Sequence, residues 1–166
     1  MAAAQEITNL LNTAYRGQAS TQGWTTEAHL ISGNARTNAH IVLELLTQPL
    51  SNILLYVQDG NILGCVHVAL KVDYVYLGML SVSPQLQAQG IGKALLQAAE
   101  EWAATHIATH IYMTVISLRT ELIAWYIRHG YYNTGITTPF IQDDVSGVHL
   151  QPLQFVTLKK NLTIIP

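Results

Sequence analysis

The sequence is poor in charge. Only 11% of its 166 residues are Asp, Glu, Lys or Arg, the formal net charge is −2, and Lys and Arg form no run. The electrostatic footprint of a nucleic-acid or anionic-membrane ligand is therefore missing, and neither partner is expected. Long apolar runs are missing too, since no stretch approaches the roughly 20 residues that span a bilayer. The start, Met1-Ala2-Ala3-Ala4, lacks the charged and apolar regions of a secretory signal. One cysteine, Cys65, excludes an intramolecular disulfide. It lies in an apolar alternating segment, which suits a buried thiol better than a nucleophile. These absences lead to the expectation of a soluble cytoplasmic protein. Apolar residues are what the chain has in plenty. At 49% of this length they suffice for one domain, 1–166, with a sizeable core.

Periodicity sorts the chain into elements. Residues 6–16 carry Ile7, Leu10, Leu11, Ala14 and Tyr15 at helical spacing, ended by Gly17. Residues 18–38 are polar and irregular, and residues 41–46 resume a helical pattern that stops before Pro49. Residues 53–58 and 62–70 read as strands around the hairpin signal Asp59-Gly60-Asn61. A third strand covers 74–82. Residues 91–104 form an amphipathic helix with Ile91, Ala94, Leu95, Ala98 and Trp102 on one stripe. A strand at 110–116, a helix at 119–129 and strands at 131–136 and 155–160 complete the order. Hairpins mixed with crossovers imply an α+β fold built on one mixed, mostly antiparallel sheet.

Between the strand 74–82 and the helix 91–104 lies Gln87-Ala88-Gln89-Gly90-Ile91-Gly92-Lys93. A helix start presents free amides and a favourable dipole to an anion, and glycines let a phosphate approach the backbone. A P-loop is excluded because Ala94 follows Gly92-Lys93 where Ser or Thr is needed. A dinucleotide fingerprint is excluded because Leu95 stands at its third glycine. The same glycines also fit a turn that merely reverses the chain. Further on, the helix 119–129 carries Tyr126, which reads either as a packed aromatic or as a hydroxyl facing a reacting atom.

The two segments together resemble the GNAT superfamily of N-acetyltransferases, in its bacterial single-domain form. Gln87, Gly90 and Gly92 fit the signature Gln/Arg-x-x-Gly-x-Gly/Ala, and Tyr126-Ile127-Arg128-His129-Gly130-Tyr131 is similar to the superfamily's Tyr-x-x-x-Gly-aromatic element. The resemblance covers roughly residues 6–160. It implies acetyl-CoA as cosubstrate, no metal, and direct transfer of the acetyl group to a primary amine of a small molecule or peptide. It implies that strands 74–82 and 110–116 splay apart to admit the pantetheine arm. Leu80, Val82, Gln87, Ala88, Gln89, Gly90, Gly92 and Lys93 are the implied coenzyme contacts. A backbone amide near 80–82 would meet the thioester oxygen, and Tyr126 would protonate the departing thiolate.

Two positions depart from the superfamily's pattern. Its first strand has no counterpart ahead of the first helix, so strand 53–58 is expected at a sheet edge, open or covered by another chain as in a homodimer. Arg119 stands where the superfamily often has Asn. A phosphate, Glu121 and solvent are its possible neighbours, and solvent is the expectation.

The acceptor side is less legible. Segments 23–36 and 137–149 are expected to line it, offering Trp24, Glu27, His29 and Arg36 from the first and Phe140, Asp143, Asp144 and His149 from the second. The aspartate pair suits either a cationic amine or a solvated turn. Glu27, Glu44 and His67 are candidate general bases, beside a base acting through water. The seven histidines include His106 and His110, four apart but across a helix-to-strand boundary, which does not make a metal site. A non-catalytic acyl-CoA-binding or regulatory module with the same fold is the alternative function.

Overall fold

The computed structural model describes residues 2–163. Helix α1 (Ala2–Tyr15) leads into a single helical turn, α2 (Gly17–Ser20), and a two-residue strand, β1 (Ile31–Ser32). Helix α3 (Ala39–Thr47) follows, capped by the Asn38 side chain, which accepts from the Ile41 amide at 3.0 Å. Strands β2 (Ser51–Gln58), β3 (Asn61–Leu70) and β4 (Tyr74–Val82) form a meander. The β2–β3 turn places Asp59 and Gly60 at φ +51° and +79°, the paired left-handed geometry that matches strand twist. Helix α4 (Ile91–Thr105), strand β5 (His110–Ile116), helix α5 (Thr120–Arg128), strand β6 (Tyr132–Pro139), the short β7 (Val148–His149) and β8 (Gln154–Asn161) complete the chain.

The main sheet has the order β2-β3-β4-β5-β8-β6. It is mixed, with only β4 and β5 parallel. This is the α+β architecture expected from the sequence, with β2 at an edge. A second ladder, β1 with β7, was not anticipated. It fastens two segments read as loops, and two residues per strand are too few to leave an alternation.

Strand β3 shows why the sheet needs cover on both faces. Its residues 64–69 are all buried, with Cys65 turned to α1 and α3 and Val66 and Val68 turned to α4 and α5. Burial pushes the Cys65 thiol up to about 12, so it stays protonated and inert. Ile7 and Leu11 of α1 and Val42 of α3 fill one side. Leu95, Leu96 and Ala99 of α4 and Tyr126 of α5 fill the other, against Val75, Leu77, Ile111 and Met113.

One buried group couples this core to pH. His67 on β3 lies 2.9 Å by Nε2 from Ser51 Oγ, edge-on to the Tyr76 ring. Burial, with the charge of Lys71, lowers His67 from 6.5 to about 4. Between those values the unfolded chain binds the extra proton and the folded chain does not, so stability falls as pH falls through that window and is unaffected above it. In thermal melts, His67→Gln is expected to lose less stability than the unaltered chain between about pH 6.5 and 4.5. Parallel curves would mean that His67 binds its proton equally well in the folded and unfolded chains.

Candidate functional site

Strands β4 and β5 start as neighbours and then part. Their parallel pairing joins Tyr74–Tyr76 to His110–Tyr112 and stops there. Beyond it, β4 stays bonded to β3 as far as Val82, and β5 stays bonded to β8 as far as Ile116. The ladder is therefore lost on one side of each strand only. On β4 the divergence coincides with a bulge: Cys65 faces Ser81 and His67 faces Gly78, leaving Met79 and Leu80 without register partners. Met79 has φ +55°, a left-handed conformation that costs a non-glycine residue about 1 kcal/mol or more. Its carbonyl accepts from Ser81 Oγ at 3.0 Å, and the Leu80 carbonyl accepts from the Tyr15 hydroxyl at 2.8 Å.

Below the gap, β4 runs through a 3-10 turn (Pro84–Leu86) into the glycine-bearing segment. Ala88 and Gly90 adopt φ +62° and +89°. The first intrahelical bond of α4 runs from the Ala94 amide to the Gly90 carbonyl at 3.0 Å, and no side chain caps this end. The amides of Ile91, Gly92 and Lys93 consequently leave the helix start without intrahelical acceptors. At Gly92 packing does not demand glycine, because an added Cβ would sit 3.6 Å from the Trp125 ring, an ordinary contact. The absence of a side chain serves the space in front of those amides.

That space is a cavity of about 290 Å³ lined by Leu80, Val82, Gln87, Ala88, Gly90, Gly92 and Lys93, with Trp24, Thr25, Trp125 and His129 around them. Of the sequence-derived contacts only Gln89 lies off its wall. The Gln87 side chain is already engaged: Nε2 donates to the Val82 carbonyl at 3.2 Å, and Oε1 accepts from the Trp24 amide at 3.0 Å. Gln87 thus ties the segment around Trp24 to the helix start. Tyr126 lines a second cavity of about 100 Å³, in the gap between β4 and β5. Tyr15, Leu80, Arg119 and Leu122 border both cavities, so the two adjoin. Burial pushes the Tyr126 phenol well above its usual range; the neighbouring Tyr15 adds to this and Arg119 opposes it.

The sequence profile of the Acetyltransferase (GNAT) family matches residues 4–131. The chain belongs to this family. A search of curated proteins finds no match. Among solved structures, similar folds include smu.2055 from Streptococcus mutans UA159, with TM-score 0.72 and 15% identity over 98% of this chain and 95% of that one. The ribosomal-protein-S18-alanine N-acetyltransferase from Escherichia coli superposes with TM-score 0.65 and 15% identity over 78% and 80% of the two chains. A GNAT family acetyltransferase from Elizabethkingia anophelis with acetyl-CoA bound gives 0.60 and 16% over 77% and 86%.

Within this GNAT fold, Arg119 corrects the sequence reading. It does not face solvent but is buried, with Nη1 2.8 Å from Glu27 Oε1 and Nη2 2.8 Å from Thr25 Oγ1. Glu121, the neighbour considered for it, accepts instead from Thr25 Oγ1 at 2.9 Å. Glu27 also pairs with Arg16, whose Nε donates to the Ser146 carbonyl at 3.1 Å. Burial alone would raise Glu27, but Arg119, Arg36 and Arg16 outweigh it and hold the carboxyl below its usual range. Such a carboxylate is a poor base. The other two candidates fare no better: Glu44 is exposed on α3 beside His40, and His67 borders neither cavity.

The acceptor segments divide unevenly. Glu27 and Arg36 reach the gap, and Trp24 reaches the larger cavity. His29, Phe140, Asp143, Asp144 and His149 border neither cavity. Asp143 closes a turn, accepting from the Val145 and Ser146 amides at 2.8 and 2.6 Å. Burial tends to raise its carboxyl, and those amide bonds lower it further than burial raises it. Among the described residues no group of three or more potential metal ligands is present. Tyr15, Arg16 and Thr25 escaped the sequence reading. Tyr15 sits on the apolar stripe of α1 and looked like core.

Removing one member of the buried Arg16–Glu27–Arg119 set leaves charges unpaired. Glu27→Ala is expected to cost about 3–5 kcal/mol in denaturant unfolding, and Glu27→Gln less. Equal, small losses would mean that solvent reaches the cluster.

Proposed function

We propose that this chain, as a single acyl-CoA N-acyltransferase domain over 1–166, moves an acetyl group directly from acetyl-CoA to a primary amine of a small molecule or peptide. The observation that carries the reading is the join of two features: a parted strand pair with a bulge at Met79, and a helix start with unclaimed amides directly below it. Acetyl-CoA seated there supplies the thioester carbonyl, and the chain's own groups do the rest. The amides of Ile91, Gly92 and Lys93, with the Lys93 charge, hold the diphosphate. The Leu80 amide at the bulge donates to the thioester oxygen as it becomes anionic. The amine nitrogen bonds to the carbonyl carbon, the C–S bond breaks, and the amine proton passes to water. Tyr126, whose proton is held tightly by burial, hydrogen-bonds the leaving sulfur. Its raised phenol makes complete proton transfer to a thiolate near 8.5 more uphill than for an exposed tyrosine. The proposed site of action is the cytoplasm; separately, among the described residues no helix is long and apolar enough to cross a membrane.

The alternative, a non-catalytic acyl-CoA-binding module, is favoured by one observation: the carboxylate on the gap's wall, Glu27, is committed to two arginines. Thiol release from acetyl-CoA with an amine panel separates the two readings, because a module binds coenzyme A and releases none.

Two variants test the parts. Gly92→Val is expected to weaken coenzyme A binding by about tenfold or more in calorimetry. Its stability should change by less than about 1 kcal/mol, since the helix tolerates the Cβ. Tyr126→Phe is expected to lower kcat roughly 100-fold with coenzyme A affinity nearly unchanged. Binding and rate lost together would make Tyr126 a packing residue.

A further inference from the structure

The gap cavity carries more positive charge than its own walls neutralise. Arg16, Arg36 and Arg119 all act on Glu27, and among the described residues no other carboxylate lines this cavity. Glu27 is saturated by Arg16 at one oxygen and Arg119 at the other. Arg36 and Arg119 line the cavity and Arg16 lies behind Glu27, so the walls hold two cations against one anion and keep one positive charge. Arg36, half-buried, carries that excess. Its guanidinium lies 4.2 Å over the Tyr15 ring, and among the described residues no ion pair or side-chain hydrogen bond engages it. Arg119, nine-tenths buried, has a second unclaimed donor: Nε is buried with no partner. The other polar wall groups are the hydroxyls of Tyr15, Tyr76, Tyr126 and Thr114. The rest is apolar, with Met113 and Phe155.

Unpaired guanidinium donors beside a cavity are costly unless an anion meets them, and their planar fork suits a carboxylate or a phosphate. Resting on the acetyltransferase reading, we propose that the acceptor is an amine that also carries a carboxylate or phosphate group, held by Arg36. The same excess charge serves the chemistry. Nearby cations disfavour an ammonium, so the acceptor's amine loses its proton more readily in this cavity than in water. The field thereby does part of the work of the missing carboxylate base. It also disfavours polycationic acceptors.

The test uses matched acceptor pairs with the full chain and acetyl-CoA, followed by thiol release. One pair is phenylalanine and 2-phenylethylamine; the other is phosphoethanolamine and ethanolamine. The member bearing the carboxylate or phosphate in at least one pair is expected to have a kcat/KM about tenfold or more above the member that lacks it. The pair with the larger ratio distinguishes carboxylate from phosphate. Arg36→Gln should erase that ratio, chiefly through KM, and Arg36→Lys should restore part of it. Should Arg36→Gln fail to fold, the ratio in the unaltered protein decides alone. Where turnover is too slow to follow, calorimetric titration of the same four compounds into the coenzyme A complex reads the same preference. Coenzyme A bound, with no preference for either member bearing the carboxylate or phosphate, would overturn this inference and leave the acetyltransferase reading standing. No coenzyme A binding would overturn both.

Discussion

The structure depends on two parallel strands ceasing to bond to each other while each keeps its other neighbour. Past Tyr76 and Tyr112, β4 and β5 exchange no ladder bonds, yet β3 and β8 hold them in place. Backbone polar groups left open inside a protein need a partner. A gap of this kind is tolerable if side chains, water or a ligand take up those groups. The Tyr15 hydroxyl takes the Leu80 carbonyl, and Ser81 takes that of Met79. The bulge that turns β4 aside is thus braced by α1 and by its own strand.

The irregular segment between α2 and α3 is held by charge rather than by apolar packing alone. Glu27 bridges Arg16, at the end of α1, and Arg119, at the start of α5. Buried ion pairs are weak evidence of net stability, because desolvation consumes much of the attraction. Their geometric effect is plainer. The bridge sets Thr25 beside Arg119 and helps bring Arg36 to the mouth of the gap, while Gln87 fixes Trp24 at the helix start. A single loop therefore borders both cavities.

Much of the architecture was legible in the chain. Strands 74–82 and 110–116 occur with the bounds read from periodicity, because both are long and flanked by clear turn signals. The helix start at Ile91 was legible because a glycine pair after a strand is a local signal. The β1–β7 ladder and the burial of Arg119 were not. Each rests on contacts between residues far apart, 92 positions for Arg119 and Glu27, and no local pattern records such a partner.

By itself the sequence determined the order of the longer helices and of the main-sheet strands, the family through its two local motifs, and the placement of the glycine-bearing turn at a helix N-terminus. These follow from periodicity and backbone conformational limits, which act over a few residues. Only the tertiary structure decided that the gap opens after Tyr76, that Glu27 is locked between guanidiniums, and that Arg36 is left with its donors free. Charge balance in a cavity is a sum over segments brought together by folding, so it exists only once they meet.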